Sequence, residues 1–328
     1  MGLFSIFKGN SNTTTKGQLS DEERCGKAWL QIAKGRYRDE GLATMKQLGE
    51  EGFDEGYLAY AMFEQNEYAR KDYLKKAADA GNAEAMWQYA NYLPHTYAAD
   101  LGDPNDKAWL SLVTNAANGG CVDAMNELGN IYHRQGDYPR SMYWYAMAFY
   151  YGHPDGQISM RGISREWQNA GMPTGYEDGP DFNDDKYECA MIFLEMYASI
   201  PFDRSKLDSY FEMISRGTPL GAYFAIGFLE NQGMEKTAFK AYDKFLAAKD
   251  PHGLKLYADV LLAGKGTGVN KQEAFKMCEK AANAGDRESM YITGLFQGVT
   301  NKNLGGYWLG KAYARGYEKA EDKLLQMV

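Results

Sequence analysis

Lys76-Ala-Ala-Asp-Ala-Gly81-Asn-Ala-Glu-Ala-Met86 recurs as Asn115-Ala-Ala-Asn-Gly-Gly120-Cys-Val-Asp-Ala-Met125 and as Lys280-Ala-Ala-Asn-Ala-Gly285-Asp-Arg-Glu-Ser-Met290. Repetition at a period of tens of residues marks a stacked array, in which each unit buries its apolar face only against its neighbours. The glycine after the Ala-Ala step serves as a phase marker. It falls at Gly52, Gly81, Gly120, Gly152, Gly217, Gly285 and Gly316, with spacings of 29, 39, 32, 65, 68 and 31 residues. A degenerate copy, Ala247-Ala-Lys249-Asp-Pro251, divides the 68-residue interval, and the 65-residue interval is expected to hold an insertion and one distorted unit.

Each unit reads as two helices. Ahead of the marker runs an amphipathic segment, as in Ser141-Met-Tyr-Trp-Tyr-Ala-Met-Ala148 and Ala274-Phe-Lys-Met-Cys-Glu-Lys-Ala281, with apolar residues at three- and four-residue steps. The glycine ends that helix, because a left-handed residue costs little without a Cβ. The next helix opens with small residues in register. Ala85, Ala124 and Ser289 lie four positions past their markers, and Ala90, Gly129 and Gly294 lie nine past theirs. A mid-helix glycine costs about 1 kcal/mol relative to alanine, so its recurrence in register predicts close approach of adjacent helices there. Trp144, Tyr145, Trp308 and Tyr132 are expected to fill the space between layers.

These residues resemble the Sel1-like repeat, a relative of the tetratricopeptide repeat. The fullest copy is Leu262-Ala-Gly264-Lys-Gly266-Thr-Gly268-Val-Asn270-Lys271 followed by Ala274 to Gly285. Most units lack the Gly-rich turn, and those around Gly52 and Gly152 lack the Ala-Ala step. The resemblance covers most of residues 20–328. It implies an all-α, right-handed α/α superhelical solenoid that serves as an adaptor or scaffold, with no enzymatic activity and no cofactor.

The expected organisation is a flexible tail at 1–18, a block of repeats at 19–165, an acidic Gly/Pro-rich inserted loop at 166–186, and a second block at 187–328. The tail carries Leu3, Phe4 and Phe7, which would share one apolar face of a helix and are the candidate for membrane or partner docking. No apolar stretch is long enough to span a bilayer.

Composition narrows the function. The chain has 36 Lys+Arg against 44 Asp+Glu, a net charge of −8. That balance argues against broad nucleic-acid binding, which depends on neutralising phosphates, and suits a basic protein partner. The four cysteines (Cys25, Cys121, Cys189 and Cys278) are scattered, with no metal-ligand spacing; buried free thiols in a reducing, cytoplasmic compartment are expected.

Three motifs are weighed and set aside. Asp181, Asn183 and Asp185 match the first positions of a calcium loop, but Lys186 and Ile192 stand where Gly and Glu are required. Gly264-Lys-Gly-Thr-Gly268 lacks the order of a phosphate cradle and reads as an interhelix turn. Arg70, Lys71, Lys75 and Lys76 read as a solvated helix face. No metal site and no catalytic group is assigned.

The expected binding surface is the concave face lined by the first helix of each pair. Its non-small positions, four apart on one helical face, are Leu58 and Met62, Trp87 and Asn91, Asn126 and Asn130, Phe224 and Phe228, Lys255 and Asp259, and Tyr291 and Leu295. Aromatic rings with asparagines suit protein recognition. The leading expectation is a non-enzymatic adaptor that binds another protein. A bacterial immunity protein that neutralises a cognate toxin is a second reading, and an RNA-binding helical array a third.

Overall fold

The computed structural model describes residues 19–96, 103–171 and 182–328. Among them the regular elements are helical: α1 (Asp21–Lys34), α2 (Arg38–Glu50), α3 (Asp54–Phe63), α4 (Glu67–Asp79), α5 (Ala83–Ala90), α6 (Pro104–Asn118), α7 (Val122–Arg134), α8 (Tyr138–Tyr150) and α9 (Gly156–Asn169). The series continues with α10 (Asp184–Tyr197), α11 (Leu207–Glu212), α12 (Leu220–Asn231), α13 (Glu235–Ala248), α14 (Pro251–Ala263), α15 (Lys271–Ala284), α16 (Arg287–Thr300), α17 (Lys302–Ala314) and α18 (Lys319–Gln326). Short 3-10 turns at Arg204–Lys206 and Met213–Arg216 flank α11.

The phase markers are the turns of this array. All seven marker glycines have positive φ, between +74° and +118°. At six of them the next residue's N–H donates to the carbonyl five residues back, as in Cys121 to Ala116 and Asp286 to Ala281 (both 3.0 Å). This is the Schellman arrangement, which satisfies a carbonyl that the helix end leaves open. The first alanine of the repeated phrase is that acceptor, and both alanines of the step are buried in these copies. The residue after the glycine then starts the next helix: Asn82 caps α5 by accepting from Ala85 N–H, and Asp286 caps α16 by accepting from Ser289 N–H.

The small residues four past the markers, Ala85, Ala124 and Ser289, are fully buried. A Cβ on Gly129 would stand 2.5 Å from the Tyr145 ring, and one on Gly294 would stand 2.8 Å from the Leu309 side chain. The expected close approaches are therefore present within the pairs α7–α8 and α16–α17. The Gly-rich turn of the fullest copy has a packing cause as well: a Cβ on Gly266 would lie 2.3 Å from the Glu235 carbonyl oxygen.

The described chain divides into two compact units. One comprises the sequence up to Ala77 together with Ala258–Gly264 and Gly268–Val328; the other comprises Ala78–Tyr257 with Lys265–Thr267. This division differs from the expected split at the insertion. In the first unit α1 packs along α17, far from it in sequence. Gly26 on α1 approaches so closely that a Cβ would lie 1.8 Å from the Asn303 carbonyl oxygen, and Gly310 lies flat against the Trp29 ring. Asn301, the cap of α17, donates to Glu23 on α1 at 2.7 Å. Buried Glu55 on α3 accepts from Arg315 at 2.6 and 3.1 Å, and Lys311 lies 3.3 Å away.

In the second unit, α10 packs on α8 and α9 and also touches α12. The expected loop at 166–186 is helical at both of its margins. Here α9 continues to Asn169, and Asn183 caps α10 by accepting from Lys186 N–H. Residues 172–181 lie outside the described residues, as does the N-terminal tail with Leu3, Phe4 and Phe7. Among the described residues between Gly152 and Gly217 stand three α-helices, α9, α10 and the short α11, where a regular unit has two.

Candidate functional site

The twelve candidate positions differ in what they touch. Leu58 is fully buried in the first unit. It packs the core of α3 and is not available as a contact residue, which corrects its assignment; Met62 on the same helix is half-buried. Tyr291 and Leu295 on α16 are half-buried, and the Tyr291 ring rests 5.1 Å from that of Tyr317. On α14, Lys255 is half-buried and Asp259 exposed, and the unit boundary runs between them.

In the second unit, Trp87 is half-buried and Asn91 exposed on α5. Asn126 and Asn130 on α7 are half-buried members of a polar group. Asn130 donates to Glu127 at 2.8 Å and accepts from the Tyr145 hydroxyl at 2.7 Å, while Arg134 holds Glu127 at 2.9 Å. Burial pushes the Tyr145 hydroxyl up to about 12, so it stays a donor. The Asn126 Oδ1 is buried with no hydrogen-bond partner among the described residues.

Phe224 and Phe228 are the pair around which a site is built. They lie on α12, whose sequence Leu-Gly-Ala-Tyr-Phe-Ala-Ile-Gly-Phe-Leu-Glu-Asn is apolar nearly all round. Such a helix must be covered on most sides. Phe193 of α10 meets Phe224 edge-on at 4.1 Å, and Phe202, in the turn after α10, stacks on Phe228 at 4.4 Å. These bulky rings do not fill the space they enclose. A cavity of about 710 Å³ remains, lined from α8 to α14 and bounded by ten aromatic residues, among them Phe149, Tyr197, Tyr210 and Tyr242. Gly227 faces this space, and a Cβ built there meets nothing within 4 Å.

Met196 (48% exposed) and Ile200 (44% exposed) form an open apolar rim. Ser199, between them in the chain, has a positive φ of 60°, which ends α10 and turns the chain toward Phe202. Among the described residues, the polar part of the lining includes Glu195, Asp203 and Glu230, and no lysine or arginine. Burial raises the pKa of Tyr210, with the neighbouring Glu188 adding to the effect, and its hydroxyl donates to Glu188 at 3.1 Å.

The remaining polar clusters are already engaged. Asp250 accepts from Tyr150 at 2.5 Å, from Tyr151 at 3.1 Å and from Gly253 N–H at 2.7 Å. Asp185, once a candidate calcium ligand, is held by Arg216 at 2.6 and 3.0 Å; Asp181 lies outside the described residues. Arg70 donates to the Glu64 carbonyl, and Lys76 pairs with Asp72 at 2.8 Å and lies over the Tyr57 and Tyr73 rings. The four cysteines are free and buried. Burial raises all four thiols, Cys278 to about 11, which leaves them protonated and unreactive as nucleophiles.

Two kinds of residue at the cavity escape the sequence reading. Those of α10 and the following turn (Phe193, Met196, Phe202) lie where the repeat loses its phase, so no register points to them. The signal available was the density of aromatic and acidic residues between Tyr187 and Tyr210. Gly227 reads as one more small helix residue, and only the open space before it gives it a meaning.

The repeated phrase of the chain resembles the Sel1-like repeat in sequence. No protein-family model matches it, and no curated protein matches it. Among solved structures, it is similar to a Sel1 repeat protein from Oxalobacter formigenes, at 15% identity over 96% of this chain and 86% of that one, with a TM-score of 0.33. It is also similar to a protective antigen present in uropathogenic Escherichia coli strains and displaying an SLR fold, at 21% identity over 85% of this chain and 57% of that one, with a TM-score of 0.32. With scores this low these likenesses carry no argument, and the repeated helix-pair architecture stands on the chain's own Schellman turns and small-residue contacts. Among the described residues no helix is long and apolar enough to cross a membrane.

Proposed function

We propose that this protein is a non-enzymatic, protein-binding scaffold, and that its cavity on α12 is a principal docking site. The observation that supports this most is the half-open aromatic space rimmed by Met196 and Ile200. Core side chains in folded proteins pack to crystal-like density. A large aromatic-lined space is the usual form of a recognition pocket, with aromatic anchors supplying most of the binding energy.

The test uses Gly227→Leu. The substitution puts a side chain into open space, removes a mid-helix glycine, and so is expected to leave the fold at least as stable. The full chain and the variant are compared as baits in affinity capture from the source organism. A partner retained by the native chain and lost by Gly227→Leu is the expected result. Retention of the same partners by both, with the variant's helical content and melting unchanged, removes the cavity from the binding site.

A further inference from the structure

We infer that the partner segment received by the α12 cavity is a basic, apolar peptide, with an arginine or lysine seated among the rings. The inference rests on the protein-binding reading above and deepens it. Three facts converge on it. The lining joins many aromatic faces to three carboxylates and no basic group. Glu195 and Glu230 are half-buried, and no hydrogen bond or ion pair to either carboxylate is present among the described residues; the cation that Glu195 feels, Lys206, makes its close contact with Glu188 instead. Asp203 is partly engaged by Ser205, which donates to it from its N–H at 2.9 Å and its hydroxyl at 2.7 Å.

The chain's own cations show the chemistry at the edge of the site. Arg204 places its guanidinium 5.3 Å from the centre of the Phe228 ring. The ring quadrupole attracts a cation in this position, and more strongly as water is excluded. The other nearby cations stand outside the lining: Lys206 is paired with Glu188 at 2.5 Å, and Arg161 is hydrogen-bonded to Tyr197. An acidic segment would face Glu195 and Glu230 across the pocket, at a cost that selects against it. A purely apolar segment would desolvate both carboxylates without a counter-charge. A segment that carries its cation on an aliphatic stem satisfies the rings with the stem and the carboxylates with the head.

The test selects a random library of twelve-residue peptides, displayed on phage, on the full-length protein. Recovered sequences are synthesised and their affinities measured by fluorescence anisotropy. Binders are expected to be enriched in Arg or Lys beside Leu, Met or aromatic residues. Their affinity is expected to fall about tenfold in the double variant Glu195→Gln/Glu230→Gln and more than tenfold in Gly227→Leu, and to stay unchanged in the remote control Glu318→Gln/Asp322→Asn on α18.

Binders that lose affinity in Gly227→Leu yet are neutral or acidic, and indifferent to Glu195→Gln/Glu230→Gln, overturn this inference and leave the docking site standing. Binders indifferent to Gly227→Leu, or no binders at all, overturn both. Dodecyltrimethylammonium binding the native cavity while no peptide does assigns it to a small cationic amphiphile and also overturns the inference.

Discussion

Where α1 meets α17, the contact is made by Gly26, Gly306 and Gly310; where α10 and the turn after it meet α12, it is made by Phe193, Phe202, Phe224 and Phe228. Backbone against backbone leaves no space, so the first contact is dense and fixes α1 and α17 to each other. Ring against ring, at 4.1 and 4.4 Å, props the helices apart and leaves about 710 Å³ unfilled. Small residues pack helices closely in both units, but around α12 bulky rings take their place and an open space remains. The same division holds for charge. Glu55 in the first unit is buried against Arg315 and Lys311, while Glu195 and Glu230 in the second have no ion-pair partner among the described residues.

The largest expected effect breaks the first unit at Glu55. Replacing it with Ala leaves Arg315 and Lys311 (17% and 18% exposed) facing each other without their counter-charge. Removing one partner of a buried ion pair costs about 3–5 kcal/mol, measured here by urea denaturation at neutral pH. The pH dependence carries its own sign. Burial pushes the Glu55 pKa up, but the charges of Arg315 and Lys311 outweigh this and hold it below its ordinary 4.5. Its stabilisation is therefore complete above 4.5 and is lost as pH falls through the lower folded value. Asp250 in the second unit behaves in the opposite sense. Burial raises its pKa above 3.8 in spite of its three hydrogen-bond donors, so its contribution is most favourable below 3.8 and weakens as pH rises through the folded value. Hydrogen exchange followed from pH 6 to pH 3 is expected to show α3 and α17 losing protection before α8 does.

The next effect separates two kinds of glycine. Gly26→Ala drives a Cβ to 1.8 Å from the Asn303 carbonyl oxygen, so α1 and α17 must move apart. Overpacking of this kind costs about 3 kcal/mol. Gly52→Ala meets nothing within 4 Å and suffers only from its positive φ of 95°, a cost of about 1–2 kcal/mol. Thermal melts of the two variants are expected to differ in that order; equal melting temperatures would show that the α1–α17 contact is soft.

This ordering also explains what was legible in the sequence. The marker glycines were readable because their signal is local: an Ala-Ala step, a residue without a Cβ and a capping residue lie within a few positions, and the hydrogen bonds joining them are short-range. Phe224 and Phe228 were readable because they stand four apart on the helix that follows a marker, although they lie one position beyond the register of the other pairs. The contact of Gly26 with Gly306 was not, since a glycine in a helix does not reveal which distant backbone approaches it. Leu58 and Phe224 share the same four-residue spacing with their partners, yet one is sealed in the core and the other lines a cavity. Periodicity assigns a residue to a helical face, and only the packing of neighbouring elements decides whether that face is closed or open. The walls supplied by α10 and Phe202 come from the stretch where the repeat is interrupted, and so had no register to be read from.

The smallest effect concerns a turn in which the repeat has lost its glycine. Lys249 ends α13 with φ 56° and ψ 32°, in the left-handed region, and the next residue, Asp250, still donates its N–H to the Phe245 carbonyl at 3.2 Å. The Schellman geometry has survived without the residue that makes it inexpensive. It survives because Asp250 is fixed from the other side by Tyr150 and Tyr151, so α8 imposes the turn that the local sequence disfavours. Lys249→Gly relieves the Cβ strain but adds backbone freedom to the unfolded chain, and the net gain is about 0.5–1 kcal/mol. In a Tyr150→Phe/Tyr151→Phe background the turn loses its external support, and the same substitution is expected to stabilise more. A double-mutant cycle by urea denaturation measures that coupling, and strict additivity would show that Lys249 holds its conformation without help from α8.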